Sequence, residues 1–210
     1  MLKYRIRKGD NKLKQNPAIF LIHGYGSNCD DLFSFAPYLP KNLTIIALEA
    51  PLSLAQGSYA WYHLYPEQNG TLKSDLNEAQ RSLELITNNI KQLIEKYNIN
   101  KMDVSVLGFS QGAILSWALA YSKSEIVRRV IALSGYIHES IDTSDPPKFI
   151  GYATHGISDE IIPIKMARDS VFPISQKHSA IEYHEFSLSL IHISEPTRPR
   201  LISYAVFCLK

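Results

Sequence analysis

Residues Gly108-Phe109-Ser110-Gln111-Gly112 form a G-x-S-x-G pattern, the stretch of this chain with the most direct chemical meaning. The preceding apolar residues 102–109 predict a strand, and residues 112–123 predict a helix. A serine at a sharp turn between a strand and a helix is held in strained backbone geometry that turns its hydroxyl outward, and the flanking glycines let the turn pack. We therefore predict that Ser110 is a nucleophile. The alternative is a glycine- and serine-rich turn without chemistry.

A serine hydroxyl needs a general base, and the base needs a carboxylate to orient it. The stretch HGISDEIIP (155–163) directly follows a predicted strand, so Asp159 should lie at the same edge of the sheet as Ser110. The alternative is an aspartate that stabilises its own turn. Glu160 is the second candidate for the acid, and Asp169 lies too far into the next predicted helix.

The loop LIHGYGSN (21–28) also ends a predicted strand. Backbone N–H groups of Tyr25 and Gln111 are the predicted donors of an oxyanion hole. His23 precedes the serine in the chain, which favours a structural role in holding this loop, and the same caution applies to His155.

The remaining histidines give weaker signals. His63 could line a pocket with Trp61 and Tyr62 or cap a surface loop, and the sequence does not favour either interpretation. The other three have no partner at metal-ligand spacing and are expected at the surface: His138, His178 and His184.

Strands and helices must alternate along the chain to position these residues. Short apolar runs at 18–24, 43–51, 102–109, 128–137, 148–156 and 180–186 predict strands. Predicted helices lie at 30–39, 74–99 and 112–123 and around 165–177, and Ser74 is a candidate cap of the longest. This alternation predicts an α/β fold with a mostly parallel sheet, helices on both faces and the site at the carboxyl ends of the strands.

The composition is typical of one ordinary globular domain of 210 residues, with 45% hydrophobic and 20% charged residues. The net charge is only +2 and no basic stripe occurs, so nothing indicates binding of nucleic acid or anionic lipid. No apolar run has the length of a signal peptide or of a membrane span. Cys29 and Cys208 make no disulfide framework, and we expect a reduced, cytoplasmic protein.

Several stretches together resemble the small carboxylesterase/phospholipase family of α/β hydrolases, which includes the acyl-protein thioesterases. They run in family order from about residue 17 to residue 187: LIHGYGSN, EAP, AWYHL, GFSQGA, LSGY and HGISDEIIP. The resemblance implies an α/β-hydrolase fold and hydrolysis of a carboxylic ester or thioester through an acyl-serine, without a metal or other cofactor. It also implies that Trp61 and Tyr62 border the acyl pocket, while Ser110, Asp159, Tyr25 and Gln111 match the catalytic positions. A dienelactone-hydrolase- or peptidase-like enzyme and a non-catalytic binding protein on this fold remain alternatives.

The pattern departs from the family after residue 187. Family members place a glycine-histidine pair after the last core strand, and this histidine is the base. The alignment puts it near position 190, where this chain has Leu190, and the only histidine further on is His192. We expect His192 to be no more than an accidental stand-in.

The C-terminal residues also resemble something other than a protein family. Residues 188–198 resemble an in-frame translation of a sequencing-library adapter, and residues 202–209 resemble the flow-cell end of the same adapter. We therefore expect residues 1–187 to be a hydrolase domain that is incomplete at its C-terminus and residues 188–210 to be non-native. A chain without the catalytic histidine and the final helix should be inactive or very weak.

Overall fold

The computed structural model describes residues 1–10, 13–68 and 72–187. The strands are β1 (Tyr4–Arg7), β2 (Asn16–Ile22), β3 (Thr44–Leu48), β4 (Leu52–Ala55), β5 (Ser58–Ala60), β6 (Leu64–Pro66), β7 (Leu72–Ser74), β8 (Ile99–Phe109), β9 (Arg129–Leu133), β10 (Ile150–Gly156) and β11 (Ile181–Phe186). The helices are α1 (Cys29–Phe33), α2 (Leu76–Lys96), α3 (Gln111–Ser122), α4 (Ile164–Ser170) and α5 (Phe172–Lys177), with a 3₁₀ helix at Ala36–Tyr38. The predictions made for residues 188–210 lie outside the described residues.

The central sheet contains seven of these strands in the order β1-β3-β2-β8-β9-β10-β11. β1 pairs antiparallel with β3, and all other neighbours in this sheet are parallel. The hairpins β4–β5 and β6–β7 are separate from it. The predicted mostly parallel sheet is therefore confirmed, with one antiparallel strand at its edge.

The apolar side chains of β2 alternate between the two faces of the sheet. Ala18, Phe20 and Ile22 pack in the larger core cluster, which also contains buried residues of α2 and α3. Ile19 and Leu21 pack in the smaller cluster on the opposite face, which contains residues of α1 and of the 3₁₀ helix. Because side chains point to alternate faces along a strand, β2 contributes to the clusters on both faces. Helices cover both faces, as the sequence predicts.

The long helix α2 begins one residue later than the sequence pattern suggests. Its cap is Asp75, whose carboxylate accepts a hydrogen bond from the N–H of Glu78 at 3.0 Å, and Ser74 is instead the last residue of β7. The buried face contains Leu83, Ile86, Ile90 and Leu93, at the three- and four-residue steps of the predicted apolar stripe.

Two of the predicted helices are interrupted where proline occurs. Residues 30–39 form α1 followed by the 3₁₀ helix, which has Pro37 in its first turn. Residues 165–177 form α4 and α5, and α5 has Pro173 in its first turn. Proline has no N–H to donate, so it is tolerated at the start of a helix but not within one.

Trp117 packs α3 against the central sheet. Its side chain is fully buried, and its ring lies 6.2 Å from that of Phe149. The ring also covers Gly151 at the start of β10, where an added Cβ would lie 3.1 Å from Trp117 Cη2. This contact holds the helix that follows Ser110 against the strand that precedes Asp159.

No helix in the described ranges is long and apolar enough to cross a membrane.

Trp117→Ala should lower the free energy of unfolding by about 3–5 kcal/mol, because it leaves a cavity between α3 and the sheet. Leu85→Ala, on the exposed face of α2, is the matched control and should cost less than about 1 kcal/mol. Urea denaturation followed by circular dichroism measures both. A similar loss in the two variants would contradict the role assigned to Trp117.

Candidate active site

Ser110 lies at the turn between β8 and α3 with φ 52° and ψ −117°, a left-handed conformation that is costly for a residue with a side chain. Its N–H donates to the carbonyl oxygen of Leu133 at the end of β9, at 2.9 Å. A Cβ on Gly108 would lie 2.1 Å from the carbonyl oxygen of Gly112, and one on Gly112 would lie 2.0 Å from that of Ile22. The backbone packing therefore leaves no room for a side chain at either glycine of the motif.

Gln111 has a second role that the sequence pattern does not indicate. Its side chain is buried and its Oε1 accepts a hydrogen bond from the N–H of Trp61 at 2.8 Å. Its Nε2 donates to the carbonyl oxygen of Tyr62, also at 2.8 Å. The residue next to the nucleophile thus holds the segment that follows β5. As the first residue of α3, it has a backbone N–H without a partner inside the helix, and this group is the predicted oxyanion donor.

The loop after β2 lies directly against the nucleophile. A Cβ on Gly24 would lie 3.3 Å from Ser110 Cβ. Gly26 has a φ of +76° and donates its N–H to the carbonyl oxygen of Tyr59 at 2.9 Å, which turns the loop back over the sheet. Tyr25 is 40% exposed between these glycines. The loop is therefore placed so that a backbone N–H at Tyr25 can serve the site, although its role remains a prediction.

His23 is a buried structural residue, as its position in the chain suggests. Its Nδ1–H donates to the carbonyl oxygen of Gly24 at 2.8 Å, and its Nε2 accepts from the N–H of Ala50 at 3.0 Å. This pattern requires a neutral ring, and burial lowers the pKa of His23. The indole N–H of Trp61 donates to the carbonyl oxygen of His23 at 2.9 Å, so both rings fix the loop.

Asp159 lies in the loop after β10 with a fully buried side chain. Its Oδ1 accepts hydrogen bonds from the N–H groups of Ile161 at 3.0 Å and Ile162 at 2.9 Å. Within the described ranges, its Oδ2 is buried and has no hydrogen-bond partner. Burial raises the pKa of Asp159, while the two backbone N–H groups and the nearby His155 act in the opposite direction. A buried carboxylate oxygen without a hydrogen bond lowers the stability of the fold. Oδ2 is therefore available to accept a hydrogen bond from a further N–H donor.

The sheet order places these groups at one edge. Ser110 follows β8 and Asp159 follows β10, with β9 between the two strands. β11 pairs parallel with β10, and the N–H of Ile157 donates to the carbonyl oxygen of Phe186 at 2.8 Å. The chain therefore leaves β11 beside the acid loop. Position 190 and His192 follow shortly after, outside the described residues.

A cavity of about 470 Å³ lies between α2, α3 and residues 138–149. Its wall includes Tyr62 near the site and Ile114, which is one turn into α3 and donates its N–H to the carbonyl oxygen of Ser110 at 3.2 Å. Trp61, in contrast, has a fully buried side chain behind this wall. The two aromatic residues therefore have different surroundings: Tyr62 borders a cavity, and Trp61 supports the loop of His23.

His63 lies at the edge of this region and pairs with Glu78 at the start of α2. Its Nδ1 lies 2.8 Å from Glu78 Oε2, and its backbone N–H donates to the same oxygen at 2.8 Å. These contacts connect the segment after Tyr62 to α2. They favour the interpretation that His63 caps a loop over the interpretation that it lines a pocket.

The parallel sheet, the strained serine turn and the buried acid at its edge define an α/β hydrolase. Residues 6–193 match the Phospholipase/Carboxylesterase family, and the chain belongs to this family. Acyl-protein thioesterase 1 of Debaryomyces hansenii is 31% identical over 167 residues, which cover 69% of this chain and 70% of that protein. Feruloyl esterase D of Neurospora crassa is 27% identical over 170 residues, which cover 79% of this chain and 56% of that protein.

Solved structures show the same fold. The Bacillus cereus carboxylesterase superposes with a TM-score of 0.81 at 14% sequence identity, over 100% of this chain and 95% of that chain. The relatives are esterases and thioesterases, which identifies this chain as a hydrolase of the ester type.

Asp159→Asn should stabilise the protein at pH 8 by about 0.5–2 kcal/mol, as expected for a site residue that destabilises the fold. Because burial raises the pKa of Asp159, the folded state binds its proton more tightly than the unfolded chain does. The cost of its charge is therefore fully present above the raised pKa and disappears as the pH falls below the ordinary value. Chemical denaturation at pH 8 and pH 4 should show the gain shrinking at pH 4. Exposed Asp145→Asn is the control, and an equal gain at both pH values would contradict the assignment.

Gln111→Met should lower the free energy of unfolding by about 2–4 kcal/mol, since it leaves the buried N–H of Trp61 and carbonyl oxygen of Tyr62 without partners. The side chain keeps its length and loses only its polar groups. Gln80→Met, at an exposed position of α2, should change stability by less than about 0.5 kcal/mol. Thermal denaturation compares the two, and equal melting temperatures would show that the Gln111 bridge is dispensable.

Proposed function

We propose that this protein hydrolyses carboxylic esters or thioesters through an acyl-serine intermediate formed on Ser110. The observation that carries the proposal is the buried Asp159, whose Oδ2 accepts no hydrogen bond in the described ranges and lies at the edge of the sheet where Ser110 turns outward. Its other oxygen is held by two backbone N–H groups, so the carboxylate is fixed in place. A fixed acceptor at the same edge of the sheet as a strained serine is the arrangement that a histidine base requires.

The reaction follows from these positions. A histidine base removes the proton from Ser110 Oγ, which attacks the acyl carbonyl carbon and forms a tetrahedral oxyanion. The N–H groups of Tyr25 and Gln111 stabilise this oxyanion. The base then returns its proton to the leaving alcohol or thiol as the acyl-serine forms. Water, deprotonated by the same base, attacks the acyl-serine and releases the carboxylic acid and Ser110.

The base must come from the residues after β11, because the chain passes the acid loop there. We propose position 190 for it, and the present Leu190 leaves Asp159 without its histidine. His192 is displaced from this position and is at best a poor substitute. We further propose that residues 188–210 are non-native and that the chain as written is therefore inactive or very weak.

The substrate is a small ester or thioester whose acyl group enters beside Tyr62. The cavity of about 470 Å³ lies within the range of ordinary ligand pockets. Its wall includes Tyr62 and Ile114 but not Ser110, so in this proposal the acyl group reaches the cavity past Tyr62. Both thioesterases and feruloyl esterases occur among the relatives, and both substrate classes belong in an assay. Cys29 is a buried free thiol, which fits the cytoplasmic location expected from the cysteine content.

The decisive assay compares the chain as written with His192→Ala and with the double variant Ser189→Gly/Leu190→His. Substrates are p-nitrophenyl esters of increasing chain length, an acyl thioester and a peptide. The double variant should hydrolyse at least one ester or thioester about 10²–10⁴-fold faster, the contribution expected of a positioned base. His192→Ala should change the rate less than twofold, and Ser110→Ala in each background gives the blank.

Three results would overturn parts of this proposal. A loss above tenfold in His192→Ala would make His192 the base. Absence of turnover that depends on Ser110, in a double variant with an unchanged circular dichroism spectrum, would reject hydrolysis by this site. Turnover of the peptide alone would indicate a peptidase.

A further inference from the structure

We propose that His155 is a positioning residue for the proposed hydrolysis, on which this inference rests. It fixes the loop of Asp159 to the backbone beside Ser110 and places its imidazole ring next to the acid. His155 is the sixth of the seven residues of β10, and its side chain is fully buried. Its ring contacts Gly135, Ile162 and Asp159, so the proposed effect on catalysis passes through the loop of the acid.

The first contact of His155 fixes the acid loop. Its Nε2–H donates to the carbonyl oxygen of Ile162 at 2.8 Å. The N–H of the same Ile162 donates to Asp159 Oδ1 at 2.9 Å. His155 therefore bonds the carbonyl oxygen of Ile162 and Asp159 bonds its N–H. Together the two hydrogen bonds fix the loop that follows β10.

The second contact of His155 faces the nucleophile. Its Nδ1 lies 3.3 Å from the carbonyl oxygen of Gly135, just after β9. Gly135 packs on the serine turn, since a Cβ there would lie 2.5 Å from Ala113 Cβ and 3.3 Å from the carbonyl oxygen of Ser110. The preceding Ser134 has a φ of 52° and donates its N–H to the carbonyl oxygen of Thr154 at 2.8 Å. The ring of His155 thus connects the acid loop to the loop after β9, which packs against the serine turn.

The groups that face the ring of His155 are hydrogen-bond acceptors and acids. Both ring nitrogens face carbonyl oxygens, which only accept hydrogen bonds, so each contact calls for an N–H. Asp159 Oδ2 lies 3.5 Å from Nε2 and provides the opposite charge. The other facing acid is Glu185, the register partner of His155 on β11, which is already paired with Arg168 at 2.7 Å and accepts from Tyr183 at 3.2 Å.

The ring of His155 has a consequence for the acid. Burial raises the pKa of Asp159, and the positive charge of His155 counteracts that rise. Asp159 must remain ionised to orient a histidine and to stabilise the imidazolium that forms during the reaction. His155 therefore does two things for the acid: it fixes the geometry of the loop and it favours the charged form of the carboxylate.

Two substitutions separate these effects. His155→Gln keeps a side-chain N–H for the carbonyl oxygen of Ile162 but removes the charge, and His155→Leu removes both. His184→Gln is the matched control, because His184 lies on the adjacent strand β11 with 44% of its side chain exposed. All variants are made in the chain as written, since neither measurement below requires turnover.

The first measurement is the pKa of Asp159, followed by the chemical shift of its carboxyl carbon. Both His155 variants should raise this pKa by about 1, the lower end of the effect of an opposite charge within a few ångströms. The second is amide hydrogen exchange of Ile161 and Ile162. His155→Leu should lose at least tenfold protection at these two amides, and His155→Gln should keep most of it.

An unchanged pKa of Asp159 in His155→Gln would reject the electrostatic part of the inference. Unchanged exchange at Ile162 in His155→Leu, or equal effects in His184→Gln, would reject the positioning part. If His155→Leu does not fold, His155→Gln decides: retained protection at Ile162 supports the positioning part, and lost protection at unchanged global stability rejects it. These results are independent of the turnover assay, so the inference and the proposed function can fail separately.

Discussion

The left-handed turn at Ser110 is the constraint on which the other features of the site depend. A serine in this conformation persists only where surrounding contacts compensate for its cost. Here the compensation comes from the hydrogen bond to Leu133 and from backbone packing so close that Gly108 and Gly112 have no room for a side chain. Because Gly112 lies directly on the end of β2, the same packing brings the loop of Gly24 against the serine. The nucleophile and the proposed oxyanion loop are thus positioned by a single close approach of two strands and a helix.

The position of Asp159 has a different physical basis: its carboxylate is buried, and only one of its two oxygens accepts hydrogen bonds in the described ranges. Two backbone N–H groups hold one oxygen of Asp159, and the other accepts no hydrogen bond within the described ranges. Such a group costs stability, and the rest of the domain tolerates the cost through its two apolar clusters on either face of the sheet. A catalytic carboxylate needs a donor beside it, and in the proposed mechanism the residues after β11 supply that donor.

Much of this arrangement could be predicted from sequence because its signals are local. The glycines around Ser110 and the apolar stripe of α2 are short patterns with a direct steric or packing cause, and the structure follows both. The aspartate loop after a buried strand gave the position of Asp159 correctly at the edge of the sheet. Its role as catalytic acid remains a proposal, as does the role of Ser110.

Other features depend on contacts that are distant in sequence, and these could not be predicted. The hairpins within residues 52–74 are made of strands of three or four residues, too short to show a period. The bridge from Gln111 to Trp61 and Tyr62 joins residues about fifty positions apart. The link of His155 to Gly135, 20 positions away, likewise becomes visible only when β9 and β10 lie side by side. Proline did mark where two predicted helices are interrupted, and that signal was available at Pro37 and Pro173.

The central claim is that Ser110 is the nucleophile of a site completed by a histidine after β11. The most direct measurement is mass-spectrometric mapping of the covalent adduct after the Ser189→Gly/Leu190→His variant reacts with a fluorophosphonate. The account predicts one phosphonylated residue, Ser110, with labelling much slower in the chain as written and absent in Ser110→Ala. An adduct on another residue, or equal labelling of Ser110 in both chains, would contradict it.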